Sequence, residues 1–205
     1  MAFSVGDMSV RQLIDYFSIR TILPVSPNEV RDRIIEMGFS DEIHFIPSPL
    51  NSTILLGMHH SYIYRNGVYA DPTVRVDITY DSIQPTALQR LVCCKELLHI
   101  FDTNTQKTTK RVDVNKLISD LSNGMKALDS FSGWSIHSLV DAITVLRAVA
   151  ILFPMAARDT LIEPLNSGKI SLSQISIYAD LPEEFVTLVM SQSWNDLHST
   201  ILSSC

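Results

Sequence analysis

Apolar positions first fall into a helical rhythm at Val10, Leu13, Ile14 and Phe17. Ser9, with Gln12 three residues on, forms a capping box that predicts where this helix begins. A second start is written in "SPNEVRDRIIEMGF": Ser26 caps, Pro27 suits the first helical position, Glu29 completes the box and Gly38 supplies the stop. The period then shortens to two. Residues 54–64 and 74–80 are rich in β-branched and aromatic side chains and are separated by Arg65-Asn66-Gly67, which predicts two strands joined by a turn. Residues 43–46 add a short third strand. The expected sheet is small and antiparallel, of two to three strands.

Past residue 82 the pattern is read as helical throughout. From Pro85, Leu91, Cys94, Leu98 and Phe101 form one apolar stripe at spacings of three, four and three. "TNTQKTTKR" is read as a polar connection, and Val114, Leu117, Leu121, Met125 and Leu128 as a further amphipathic helix. Residues 135–153 are apolar nearly all round, which marks a central buried helix. "SLSQISIYADLPEEFVTLVM" is read as two short closing helices with a turn near Leu181-Pro182. The expected architecture is α+β and mainly helical. It is one domain over 1–205, with helices and sheet in 1–82 and a helical half in 83–205.

Composition narrows the function. Hydrophobic residues make up 46% of the 205 and charged residues 19%, below the roughly 25% charged of ordinary soluble domains. Such a chain can bury a sizeable core. With 16 basic residues against 22 acidic ones and a net charge of -6, it lacks the cations that neutralise phosphates, and nucleic acid is not an expected partner. The helix-turn-helix look of residues 171–194 does not change this, because residues 182–194 carry Glu183 and Glu184 and no Lys or Arg. The beginning of the chain has no charged-then-apolar signal pattern. The most apolar stretch is interrupted by Asp141, Arg147 and Pro154. No membrane partner is expected, and the three cysteines show no disulfide or zinc-finger spacing. A cytoplasmic protein with reduced thiols is expected.

The candidate chemistry lies in "CCKELLHIFD". Glu96 and His99 are neighbours one helical turn apart, as are Lys95 and His99, and Asp102 lies one turn beyond His99. One change, Lys95 to His, would make H-E-L-L-H, whose two histidines bind zinc while the glutamate polarises water. A charged lysine has no lone pair to give a metal. The plainest alternative is an amphipathic helix with Lys95 and Glu96 at its solvent edge. His59-His60 lies on a predicted strand, so one ring faces in and one out. Cys93-Cys94 is read as a buried thiol and its neighbour. E-x-x-H also occurs in di-iron bundles, but no second such pair exists here.

The order of strand "VRVDITY", turn "DSIQPTALQR" and helix "CCKELLHIFD" resembles the ImmA/IrrE-type metallopeptidases of bacteria and phages. "LRAVAILFPMAARDTLIEPLNSGKISLSQISIYADLPEEFVTLV" resembles that family's C-terminal segment, so the likeness spans roughly residues 27–193. It implies that Glu96 stands at the catalytic glutamate and His99 at the second zinc histidine, with Lys95 in place of the first. The third ligand is expected near Ala142 and Ile143. Neither can serve, and Asp141 is the nearest carboxylate, with Asp102 a further candidate. A catalytic zinc ordinarily keeps three protein ligands.

The resemblance therefore implies a catalytically degenerate metallopeptidase-like protein with no cofactor. It would bind a protein partner, a regulator of bacterial or phage origin. The alternatives are an active zinc peptidase with non-standard ligands, cutting a repressor-type protein, or a binding protein outside this family. A specific expectation attaches to Lys95: its ammonium takes the metal's place and pairs with Asp102 or Asp141.

Overall fold

A computed structural model describes residues 9–39, 42–51, 53–65, 67, 69–101, 106–110, 116 and 136–203, giving the backbone path alone at 106–110 and 136–139. The first two helices form as their caps predict. Helix α1 (Val10–Ser18) carries the Ser9–Gln12 capping box and buries Val10, Leu13, Ile14 and Phe17. Helix α2 (Pro27–Glu36) begins at the Ser26–Glu29 box with proline in its first turn. Gly38 follows at φ 105°, a backbone angle that a side chain resists.

Three strands come next: β1 (Glu42–Ser48), β2 (Leu55–Tyr64) and β3 (Thr73–Asp81). A fourth, β4 (Gln106–Lys110), lies in the stretch expected to be a polar connection. The sheet order is β1-β3-β2-β4. β2 runs antiparallel to both neighbours, while β1 runs parallel to β3, with Ile43 opposite Val76. The α+β, mainly helical class holds. The two-to-three-stranded antiparallel sheet is corrected to four strands and a mixed ladder. β4 escaped notice because its residues are polar; backbone pairing with β2, not an apolar face, makes it a strand.

Helix α3 (Thr86–Leu98) leaves β3 through a tight turn and ends in a single 3₁₀ turn, His99–Phe101. Asp81, at the end of β3, builds that turn. Its carboxylate accepts hydrogen bonds from the backbone N–H groups of Leu50 at 3.3 Å and Ile83 at 3.2 Å, and from Gln84 Nε2 at 2.8 Å. Helix α4 (Ile136–Leu152) is the buried helix expected, with every residue from Ala148 to Leu152 inside. Helices α5 (Met155–Asn166), α6 (Leu172–Ala179), α7 (Glu183–Met190) and α8 (Trp194–Ser203) follow. The two short helices expected at the end are α6 and α7, and α8 comes after them. The supposed DNA-reading helix over 182–194 is broken at Ser191, whose extended backbone ends α7. The amphipathic helix read at residues 114–128 lies outside the described residues, except for Lys116.

One apolar cluster runs from Val10 to Ile201 and joins α1, α2, the inner face of the sheet, α3 and α4. α3 is at its centre, touching β2, β3 and β4 as well as α2 and α4. Arg90 fastens it in place. Its Nη1 donates to the carbonyls of Ala179 at 3.0 Å and Asp180 at 2.6 Å, and its Nη2 donates to the carbonyl of Val25.

Candidate functional site

The position of α3 decides the chemistry of its side chains. A helix with one apolar stripe would turn Lys95 and Glu96 to water. Here every residue from Leu91 to Ile100 is buried, because the sheet covers a second side of the helix. The solvent-edge reading of Lys95 and Glu96 is therefore overturned. The sheet comes close at Gly57 of β2: a Cβ there would sit 2.3 Å from Val92 Cγ1 and 3.5 Å from Glu96 Cγ. Only glycine lets strand and helix approach this way.

Four polar groups meet in this covered space. Lys95 is 1% exposed and Glu96 0%, and the Lys95 ammonium lies 3.4 Å from Glu96 Oε1. It lies 3.0 Å from Oδ1 of Asp141 on α4, a side chain 25% exposed. His99 Nε2 stands 3.9 Å from Glu96 Oε2 and 3.9 Å from Asp141 Oδ1. His59 completes the surroundings: its Nδ1 is 3.1 Å from the backbone carbonyl of Glu96, and its ring stands edge-on to His99 with centroids 6.1 Å apart. His59 is buried and His60 exposed, as their strand alternation requires.

Sequence reasoning named Lys95, Glu96, His99 and Asp141, and the fold brings all four together. The remaining candidate, Asp102, lies outside the described residues. His59 was considered only as half of a histidine pair, and its place under α3 comes from the sheet register, which no local pattern carries. The neighbouring thiols are inert by environment. Burial pushes Cys93 up to about 12, helped by the charge of Glu96, and pushes Cys94 up further. A thiol so raised is neither nucleophile nor metal ligand at neutral pH. A groove of about 410 Å³ between α1 and α2, lined by Tyr16, Arg20, Glu29 and Arg33 among others, includes none of these residues.

Among the described residues, Lys95 takes the place beside Asp141 and Glu96 where a cation would sit. A dication drawn to Asp141 Oδ1 and Glu96 Oε1 would meet the Lys95 ammonium already held at 3.0 and 3.4 Å by those oxygens. Among the described residues, no group of three or more His, Cys, Asp and Glu side chains is set to hold a metal ion. Electrostatically, the ammonium supplies positive charge where buried carboxylates would otherwise face one another at high cost.

The chain matches no family model, no curated protein and no solved structure. No single helix among the described residues is long and apolar enough to cross a membrane.

Proposed function

We propose that this chain is a metallopeptidase-like protein whose remnant active site is closed by a lysine. It acts by binding a protein partner, a regulator of bacterial or phage origin, without cutting it. The observation that carries this reading is the contact of Lys95 Nζ with Asp141 Oδ1 at 3.0 Å. It ties Lys95, which stands where the resemblance expects the first zinc histidine, to the carboxylate nearest the expected third-ligand position. Glu96, at the position the resemblance gives the catalytic glutamate, is turned to the same ammonium at 3.4 Å. Binding is supported by the sheet edge. Among the described residues β4 pairs only with β2, and it lies against α3. An extended segment of a partner can add to such an edge through main-chain hydrogen bonds.

The test is metal analysis of protein purified without added metal or chelator, together with cleavage assays and cross-linking in cells. The expected outcome is no stoichiometric zinc, no chelator-sensitive cleavage, and a cross-linked partner recovered at full length. Lys95→His alone should not restore hydrolysis, because Asp141 is displaced from the third-ligand position. Near-stoichiometric zinc, with cleavage abolished by Glu96→Gln, would show an active peptidase instead.

A further inference from the structure

Helix α8 is held by buried side chains that include a titratable one. Trp194, His198 and Ile201 point inward, and α8 packs on α4 and α7. Trp194 and His198, one turn apart, set their rings 6.0 Å from centroid to centroid. Trp194 Nε1 and His198 Nε2 are both buried, and among the described residues no group hydrogen-bonds to either. A neutral imidazole tolerates that setting. An imidazolium, with two N–H donors to satisfy, does not.

We propose that α8 is an acid-sensitive latch: protonation of His198 releases the helix, with Trp194, from the surfaces of α4 and α7.

The charged groups around His198 do not rescue the protonated form. Desolvation holds His198 below its ordinary value of 6.5; Asp15 of α1 works against that shift and Arg158 of α5 adds to it. Arg158 cannot swing away freely, since its Nε donates to the carbonyl of Val189 at 2.6 Å and its Nη2 to that of Ser191 at 3.1 Å. On α4, Asp141 is committed to Lys95, and the other charged residue is the cation Arg147. Glu183 and Glu184 of α7, and Asp196 of α8 itself, are exposed.

The sign of the effect follows. Above 6.5 the docked and released forms are both neutral at His198, and docking is strongest. As pH falls through 6.5, the released form takes the proton first. Docking then weakens by up to about tenfold per pH unit, until the docked form protonates as well. A peripheral helix can open in this way without global unfolding.

The experiment is hydrogen exchange on the full chain at pH 7.5, 6.5 and 5.5, corrected for the intrinsic pH dependence of exchange. Protection across α8 should fall by up to roughly tenfold between pH 6.5 and 5.5, while α3 and α4 keep theirs. In His198→Gln the α8 protection should be independent of pH. A flat profile in the wild type, the same fall in His198→Gln, or simultaneous loss in α3 and α4 would each overturn the proposal. Should His198→Gln fail to fold, the wild-type imidazole is followed by NMR. Titration below 6.5 in step with movement of the Trp194 indole signal supports the latch. Titration at or above 6.5, or an unmoved indole, overturns it.

Discussion

Helices α2 and α3 both carry charged residues beside apolar ones, yet the charges serve opposite ends. On α2 they form surface pairs: Arg31 with Asp32 at 2.8 Å and Arg33 with Glu36 at 3.1 Å. Water screens such pairs, and each contributes about 0–1 kcal/mol. On α3, Lys95 and Glu96 are inside the protein, and Lys95 pairs with the partly exposed Asp141. A pair of that kind adds little over an apolar core, but removing one member leaves a buried charge uncompensated. The two helices differ in how many sides are covered. α2 packs through Val30 and Ile34 and is wet elsewhere. α3 is flanked by the sheet and by α4.

The sharpest way to break this contrast is Lys95→Met. It leaves Glu96 and Asp141 without their shared cation and should destabilise the fold by about 3–5 kcal/mol, measured by chemical denaturation. A loss below about 1 kcal/mol would mean that the carboxylates find water or another cation, and that α3 is as solvated as α2. A smaller effect is expected from Gly57→Ala. The added methyl meets Val92 Cγ1 at 2.3 Å and the carbonyl oxygen of Thr79 at 3.3 Å, which should cost about 1–3 kcal/mol through overpacking. Because the tighter clash is with a side chain, Val92→Ala in the same protein should make the glycine substitution milder. Equal costs in both backgrounds would place the strain in the strand backbone instead. The smallest effect is predicted for Glu36→Gln on α2: no more than about 1 kcal/mol, shrinking as salt is raised. A salt-independent loss larger than that would make Arg33–Glu36 a buried pair in energetic terms and erase the distinction.

The same contrast explains what the sequence made legible. Local signals read well: the Ser9 and Ser26 caps, the stop at Gly38, the paired β2 and β3, the largely apolar α4, and the inward His59 beside the outward His60. Each depends on neighbours within a few residues. The parallel entry of β1 beside β3 and the polar strand β4 depend on distant partners, and neither leaves a local trace. Burial of Lys95 and Glu96 was hidden for the same reason. Helical periodicity shows the stripe through Leu91, Cys94 and Leu98, whereas the second covered side is made by β2, whose Gly57 allows the approach. The pairing of Lys95 with a carboxylate was anticipated, and the fold gives that role to Asp141.

The turn built around Asp81 has a consequence for how this chain can vary. Surface loops ordinarily absorb insertions at little cost. The connection from β3 to α3 is different, because it sets the angular phase of a helix whose sides face unlike surroundings. One added residue after Asp81 would turn α3 by about 100° and advance it by roughly 1.5 Å. Lys95 would then leave Asp141, an apolar residue would take its place opposite the carboxylate, and Val92 would lose its seat over Gly57. The segment from Asp81 to Pro85 thus behaves as a keyed joint, held by the Asp81 carboxylate and fixed in its length.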